Sequence, residues 1–293
     1  MKPKLSRFAI PYVIWMALFV VAPIVLVVVY AFSTDAGGFT LENFSRMGTY
    51  AVVFGRSFKL ALIATFICLL IGYPVSYAMS REGEKFQRAA MVLIMLPMWI
   101  NFLLRTYSWM SILENTGLLN TFFQRIGLID LYNSVAIHFA ADPGKFVPIS
   151  YFPMINTQGA IVLGMVYNFL PFMVLPIFTV IEKIDPRLIE AAQDLGANAS
   201  LVFRKVIFPL SLPGILSGIT MVFVPAVATF AISRLLGGGM VTLLGDLIET
   251  QFLGGAYNPY LGSAISLVMM LIVIVCMAVM NRFGEGEEEA MVL

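Results

Sequence analysis

Six long apolar segments are the feature that most limits how this 293-residue chain can fold. A helix needs about 20 predominantly apolar residues to cross a lipid bilayer, and each segment is long enough. We therefore predict six membrane-spanning helices, at about residues 8–32, 60–80, 89–110, 159–181, 209–233 and 261–281. Hydrophobic residues are 60% of the chain and charged residues 12%, against about 45–50% and about 25% in soluble domains. The sequence predicts an all-α membrane protein in which residues 1–293 form a single transmembrane domain.

Lysine and arginine indicate which ends of the spans face the cytoplasm. The first apolar run follows Lys2, Lys4 and Arg7 and is too long for the roughly 7–15-residue core of a signal peptide. We therefore expect an uncleaved first span with a cytoplasmic N-terminus. Most of the 18 Lys and Arg residues then fall in segments on the cytoplasmic side, as the positive-inside rule requires. Because the number of spans is even, both termini are predicted to be cytoplasmic.

Composition excludes several kinds of site. His138 is the only histidine, and Cys68 and Cys276 lie within apolar runs, so we interpret them as core thiols. A histidine-based metal site or catalytic dyad has too few residues to form. The net charge of +1, without a basic patch, argues against nucleic-acid binding. We predict no catalytic residue, metal or cofactor in this chain.

The longest predicted outer segment, about residues 111–158, contains one amphipathic stretch. Its apolar residues recur at the spacing of a helix face, at Leu118, Leu119, Phe122, Phe123 and Ile126. We predict a helix over 118–126 that lies on or dips into the outer surface of the membrane. The rest of the segment is predicted to be loop, either contacting an external partner or serving only as a connector.

The longest predicted cytoplasmic loop, residues 182–208, contains the clearest local signals. Asp185 followed by Pro186 is a typical helix start, and Gly196 is a typical helix stop. Between them, one helix face carries small and apolar residues, namely Leu188, Ala191, Ala192 and Leu195. A helix this short is marginal in water, so we expect this face to insert into a groove of another protein. A second helical turn is predicted over residues 201–207.

The same loop resembles the EAA loop of the permease subunits of ABC importers. That family's pattern is Glu-Ala-Ala, a spaced glycine, and then aliphatic-x-leucine-proline; here it is matched by Glu190-Ala191-Ala192, Gly196 and Val206-Ile207-Phe208-Pro209. Phe208 stands where leucine is usual. The resemblance implies that the loop couples the membrane domain to an ATPase. The coupling residues would be Leu188, Glu190, Ala191, Ala192, Leu195 and Gly196.

A wider resemblance covers most of the chain and is to polyamine permeases of the spermidine/putrescine type. It is carried by residues 104–109 (Leu-Arg-Thr-Tyr-Ser-Trp), 170–173 (Leu-Pro-Phe-Met), 213–215 (Pro-Gly-Ile) and 251–253 (Gln-Phe-Leu). It implies a type I ABC importer permease fold in the bacterial inner membrane. The implied partners are a dimer of ABC ATPase subunits, a second homologous permease subunit and a periplasmic binding protein. The sequence contains no G-x-x-x-x-G-K-[ST] motif, so ATP and Mg must bind to the ATPase subunits.

A polyamine is a polycation, yet the six apolar cores contain no Asp or Glu. A cation would instead pass over aromatic faces, amides and carbonyls, with cation–π contacts of about 0.5–2 kcal/mol each. The candidates for lining this path are Asn101, Tyr107, Trp109, Tyr167, Asn168 and Phe230. Near the outer mouth, we predict that Phe230, Arg234 and Glu249 form a gate in which the two charges pair. For each of these residues, helix packing or interfacial anchoring is the alternative role.

Two other functions stay open on the sequence alone. An ABC permease for sulfate, molybdate or a phosphonate would share the EAA loop and differ only in its cavity and binding protein. A secondary transporter would have matching broken helices in both halves and an intramembrane ionisable site, and neither is evident here. An intramembrane enzyme has no supporting motif.

Overall fold

A computed structural model describes residues 5–139 and 146–291, and within these ranges the chain is helical with no β-strand. The helices are α1 (Leu5–Met16), α2 (Ala22–Ala31), α3 (Glu42–Arg46), α4 (Ala51–Ser80), α5 (Glu84–Trp99), α6 (Phe102–Leu113), α7 (Leu118–Arg125), α8 (Leu128–His138), α9 (Gln158–Glu182), α10 (Pro186–Asp194), α11 (Ala199–Val202), α12 (Phe208–Ala228), α13 (Ala231–Leu236), α14 (Leu244–Phe252) and α15 (Pro259–Met291).

Five stretches of the described residues are long and apolar enough to cross a membrane, and a sixth qualifies if a bent pair counts as one span. The five are Ile10–Ala31, Glu42–Ser80, Gln158–Glu182, Ala199–Ala228 and Pro259–Met280. They confirm five of the six predicted spans, although the helix of the second span begins well before residue 60. The side of the membrane on which the termini lie stays a prediction.

The third predicted span, 89–110, is wrong as a single straight helix. The helical stretch Phe102–Arg125 runs at 89° to α5, and Ile100 between them has an extended backbone. The Oδ1 atom of Asn101 accepts hydrogen bonds from two backbone N–H groups of α6, at 2.8 and 3.4 Å. This side chain therefore begins a new helix, and Pro97 weakens the end of α5 because it lacks a backbone N–H.

The fifth predicted span, 209–233, is also interrupted. Helix α12 ends at Ala228, Thr229 has an extended backbone, and the chain then enters the separate short helix α13. The start of α14 packs against this break, because a Cβ atom on Gly245 would lie 2.6 Å from the carbonyl oxygen of Ala228. The close approach of a second helix end explains why an uninterrupted apolar run does not continue as one helix.

Helix α9 lies at the centre of the bundle. Of the residues in its most apolar stretch, 61% are buried. In the first span that share is 0%, so the first span lies on the outside of the bundle. Helix α12 packs closely on α9 at two glycines. A Cβ atom on Gly214 would lie 2.9 Å from the carbonyl oxygen of Pro176, and one on Gly218 would lie 2.7 Å from the sulfur of Met173. Small residues at these positions let the two backbones approach each other.

The described parts of the 111–158 segment are more ordered than predicted, and the loop predicted at residues 140–145 lies outside the described residues. Helix α7 confirms the amphipathic helix, but the prediction of loop beyond it is wrong, because α8 follows directly. Two asparagines anchor an extended stretch against these helices. The side chain of Asn120 exchanges two hydrogen bonds with the backbone of Phe152, at 2.9 and 3.1 Å, and Asn133 does the same with Ile149, at 2.9 Å for both. These contacts join residues 16 and 32 positions apart, which no local pattern reveals.

Candidate functional site

The 182–208 loop contains the predicted short helix, α10, with both of its predicted ends. The Oδ1 atom of Asp185 accepts a hydrogen bond from the backbone N–H of Arg187 at 2.9 Å, and Pro186 is the first helical residue. At the other end, Gly196 has a φ of +84°, in the left-handed region that favours glycine. Its N–H donates to the carbonyl of Gln193, and the N–H of the next residue donates to the carbonyl of Ala192, at 2.8 and 3.0 Å. This pattern is the Schellman motif, which closes the helix firmly.

Most of the predicted coupling residues lie on the surface of the loop. Leu188 is 49% exposed and Leu195 is 90% exposed, so both side chains are accessible to a partner. Glu190, Ala191 and Gly196 are exposed as well. Ala192 differs from the prediction, because it is half-buried and packs with Ile189 against the core of the bundle. The outward apolar face is therefore narrower than predicted, and Ala192 helps to attach α10 to the membrane domain.

The second predicted turn of the loop divides into two parts. Helix α11 is capped by Asn198, whose Oδ1 accepts from the backbone N–H of Leu201 at 2.9 Å. A single π-helical turn, Phe203–Ile207, follows and leads into α12. Such turns are rare and often occur at functional sites.

The candidate path residues fall into separate places. The side-chain oxygen of Asn101 already accepts hydrogen bonds from the backbone of α6. Tyr107, also on α6, is 47% exposed. Trp109 and Tyr167 lie together, with ring centroids 5.4 Å apart in an edge-to-face arrangement. Asn168 is only 3% exposed, so it could meet a solute only if the surrounding helices moved. Its Nδ2 donates to the carbonyl of residue 164 at 2.8 Å, and its Oδ1 has no hydrogen-bond partner within the described part of the chain.

The predicted ion pair between Arg234 and Glu249 is present. The Nη1 atom of Arg234 lies 2.9 Å from both carboxylate oxygens of Glu249, joining α13 to α14. The side chains are 65% and 23% exposed, respectively, so this is a surface pair. Phe230, 47% exposed, lies at the start of α13, where its carbonyl accepts from the backbone N–H of Arg234 at 3.0 Å. The three residues predicted to form a gate are thus neighbours, and the role of a gate stays a prediction.

Asp246 lies in the first turn of α14, the helix that carries Glu249. Its Oδ2 accepts from the backbone N–H of Leu243 at 2.9 Å and caps α14, while its Oδ1 is buried without a partner among the described residues. Burial raises the pKa of the Asp246 carboxyl group above its ordinary value of 3.8, and the negative charge of Glu249 acts in the same direction. Leu243 is the N-cap residue of α14 and Asp246 is its N3 residue. An acidic residue in the first turn of a helix is the sequence signal for this role.

One groove on the surface of the bundle is not lined by any of the candidate path residues. It has a volume of about 530 Å³, lies between α4 and α9, and is apolar except near Lys59 and Gln158. Among the described residues there is also no group of three or more His, Cys, Asp or Glu side chains that could hold a metal ion. The candidate functional features are therefore the exposed helix α10, the ring pair of Trp109 and Tyr167, and the ion pair of Arg234 and Glu249.

Comparison with known proteins identifies the fold and the family. Residues 69–285 match the family described as "Binding-protein-dependent transport system inner membrane component". The chain is 37% identical over 276 residues to the spermidine/putrescine transport system permease protein PotB of Haemophilus influenzae, covering 92% of this chain and 90% of that protein. It is 35% identical over 266 residues to PotB of Escherichia coli, covering 88% and 90%.

Solved ABC transporters share the architecture. A bacterial ABC transporter involved in alginate import superposes with a TM-score of 0.73 at 17% identity, covering 96% of this chain and 94% of that chain. The MetNI methionine transporter gives a TM-score of 0.55 at 17% identity, covering 83% and 98%. These likenesses confirm the predicted type I ABC permease fold. The chain therefore belongs to the family of binding-protein-dependent transport system inner membrane components.

Proposed function

We propose that this chain is the transmembrane permease subunit of an ATP-driven importer that moves spermidine or putrescine across the bacterial inner membrane. A periplasmic binding protein delivers the polyamine, and a second homologous permease subunit completes the path. The observation that carries this proposal is the 37% identity to a polyamine permease over 92% of this chain and 90% of that relative. Similarity over nearly the full length of both proteins favours a shared solute class over a shared fold alone.

The energy comes from a dimer of ABC ATPase subunits that docks on α10. Leu188, Ala191 and Leu195 point away from the bundle, where a groove on another protein would cover them. The cap at Asp185 and the Schellman motif at Gly196 make α10 a rigid unit. Closure of the ATPase dimer would displace this unit and switch the bundle between inward and outward access. ATP and Mg bind to the ATPase subunits, since this sequence lacks a phosphate-binding loop.

The polyamine crosses without an acidic site at mid-depth. A carboxylate there would hold a cation strongly, whereas a conduit needs contacts that are weak enough to release it. Aromatic faces such as those of Tyr107 and Phe230, both 47% exposed, supply cation–π contacts of about 0.5–2 kcal/mol each. The pair of Arg234 and Glu249 would open and close the outer mouth. Affinity for the solute would come mainly from the binding protein.

The decisive experiment is uptake by the assembled complex in proteoliposomes. The two permease subunits and the ATPase subunits are purified together and placed in proteoliposomes with ATP enclosed. Radiolabelled putrescine or spermidine is then added outside with the separately purified binding protein. We expect uptake that needs ATP and stops when the P-loop lysine of the ATPase subunit is replaced by alanine. Uptake driven by a proton gradient without ATP would overturn the proposal in favour of a secondary transporter. ATP-dependent uptake of sulfate, molybdate or a phosphonate, with none of polyamine, would retain the importer and overturn the solute.

A further inference from the structure

Four aromatic rings join the 182–208 loop to the side of α4. We call Tyr73, Tyr77, Phe203 and Phe208 the aromatic cluster. Phe203 meets Tyr73 and Tyr77 edge-to-face, with ring centroids 5.8 and 5.4 Å apart and interplanar angles of 87° and 80°. Phe208 adds a ring 5.9 Å from Tyr73. Edge-to-face contacts have a preferred geometry, so the cluster fixes orientation as well as burying apolar surface.

Polar contacts hold the two tyrosines in place. The hydroxyl of Ser211 donates to the carbonyl of Phe208 at 2.8 Å, so its oxygen accepts from the hydroxyl of Tyr73 at 3.0 Å. Ser211 is fully buried, which makes this hydrogen bond well shielded from solvent. On the other ring, Arg81 donates from Nη2 to the hydroxyl of Tyr77 at 3.1 Å and lies over the ring at 5.1 Å from its centroid. Each tyrosine is thus fixed at its hydroxyl end and contacts Phe203 with its ring.

Phe203 lies between α10 and α12 in the chain, on one route by which movement of α10 reaches the bundle. It is the first residue of the π-helical turn that connects α11 to α12. Along the chain, a displacement of α10 reaches α12 through this turn. Through the aromatic cluster, the same displacement also reaches α4, which is remote in sequence. Helix α4 in turn packs against the central helix α9, where Gly72 lies close to Met173.

We propose that Phe203 is a positioning residue that transmits the movement of α10 sideways into α4, so that α4 and α12 move together. The inference rests on the proposed function, because it needs an ATPase that moves α10. It goes beyond that function because it identifies the contact that links α4, as well as α12, to the movement of the ATPase. The alternative is that the four rings only pack the end of the bundle, and the two roles predict different results.

The test uses the complete complex in proteoliposomes with Phe203→Leu, which keeps an apolar side chain and removes the ring. We expect ATP hydrolysis to continue while the number of polyamine molecules imported per ATP falls about ten-fold, within the usual range of a coupling free energy. Phe203→Tyr, which restores a ring, should recover most of that ratio. The matched control is Phe123→Leu, because Phe123 meets Phe152 edge-to-face at 5.8 Å in the 111–158 segment, far along the chain from the loop. An unchanged ratio in Phe203→Leu, or an equal loss in the control, would overturn the proposal.

A distance measurement separates transmission from packing. Spin labels are placed at Gln193 on α10 and Val75 on α4, both exposed, after replacement of Cys276. The distance should stay constant between the nucleotide-free and vanadate-trapped wild-type complexes and should change in Phe203→Leu. A distance that changes equally in both proteins would overturn the proposal. If Phe203→Leu fails to assemble, Tyr77→Leu, which removes one partner ring, must show the lowered ratio, and normal coupling in that variant would also overturn it.

Failure of this inference is distinguishable from failure of the proposed function. If the wild-type complex imports no polyamine with ATP, the function is wrong and the ratio cannot be defined. If the wild type imports polyamine and the variant matches it, the function stands and only the role of Phe203 is lost.

Discussion

The 182–208 loop and the 111–158 segment both leave the bundle between two spans, but different interactions fix their helices. In the loop, Asp185 and Gly196 define α10 through contacts with residues no more than a few positions away. In the segment, Asn120 and Asn133 hold α7 and α8 against backbone 32 and 16 residues further along the chain. The loop also exposes its leucines, whereas Asn120 is 1% exposed.

This difference suggests that the 111–158 segment contributes to the stability of the protein and the 182–208 loop to its coupling with an ATPase. Helix α10 is fixed by contacts between neighbouring residues, so it can keep its shape while it moves. Such a helix suits docking on an ATPase. A pair of helices fixed by buried long-range hydrogen bonds suits a part of the structure that stays rigid. Substitutions in the segment should therefore change stability, and substitutions in the loop should change coupling. Variants of Asn120, of Leu188 with Leu195, and of Gly196 test that division, with expected effects that decrease in this order. The ion pair of Arg234 and Glu249, which belongs to neither region, should show the smallest effect.

The largest effect should come from Asn120→Leu in the 111–158 segment. The change removes a buried side chain and leaves the backbone N–H and C=O of Phe152 unpaired, at a cost of about 1–3 kcal/mol for each unsatisfied group. Hydrogen exchange should accelerate over residues 147–157 and stay unchanged over 186–196. The control is Gln124→Leu, which loses one exposed hydrogen bond to the carbonyl of Ser150. Equal protection in the two variants would contradict the division.

The next effect should come from Leu188→Glu combined with Leu195→Glu. Because both side chains are exposed, the melting temperature of the purified permease should stay close to that of the wild type. Its affinity for the ATPase subunits should fall about ten-fold or more, equivalent to about 1.4 kcal/mol, measured by titration of the labelled ATPase. Leu253→Glu is the matched control, since Leu253 is 83% exposed on a different loop. Unchanged ATPase binding by the double variant would remove α10 as the docking element.

Gly196→Ala should have a smaller and purely conformational effect. Nothing lies within 4 Å of an added Cβ, so the cost of about 1 kcal/mol comes from the φ of +84° alone. Faster hydrogen exchange at residues 195–198 and lower uptake per ATP are expected, with normal expression. Gly48→Ala provides the comparison, because that position is equally open but lacks a positive φ. If both variants behave alike, the helix stop is not needed for coupling.

The smallest effect should come from exchanging the charges of Arg234 and Glu249. A surface ion pair contributes about 0.2–1 kcal/mol, and Arg234 is 65% exposed, so stability should hardly change. Each single reversal, Arg234→Glu or Glu249→Arg, should lower uptake because it places like charges together. The double exchange should restore it. A double variant as inactive as the single variants would show that the two side chains act separately.

The sequence predicts the features that depend on neighbouring residues and on apolar length. Five spans, the amphipathic helix α7 and both ends of α10 follow from such signals. It does not predict the bend at Asn101, because an apolar run has the same hydropathy whether it is straight or bent. The extent of α12 and the presence of α8 also depend on distant contacts, at Gly245 and Asn133. Ala192 lies at the edge of the predicted face, and periodicity alone does not reveal that it packs against the bundle.

The broken third span has a consequence for biosynthesis. Helix α6 has 12 residues, and at about 1.5 Å per residue it is about 18 Å long, against a hydrocarbon layer of about 30 Å. Helix α5, with 16 residues, is also too short on that scale, at about 24 Å. Both halves contact α9, which the ribosome makes later. We therefore expect this part of the nascent chain to wait beside the translocon and to enter the lipid only after α9 has emerged.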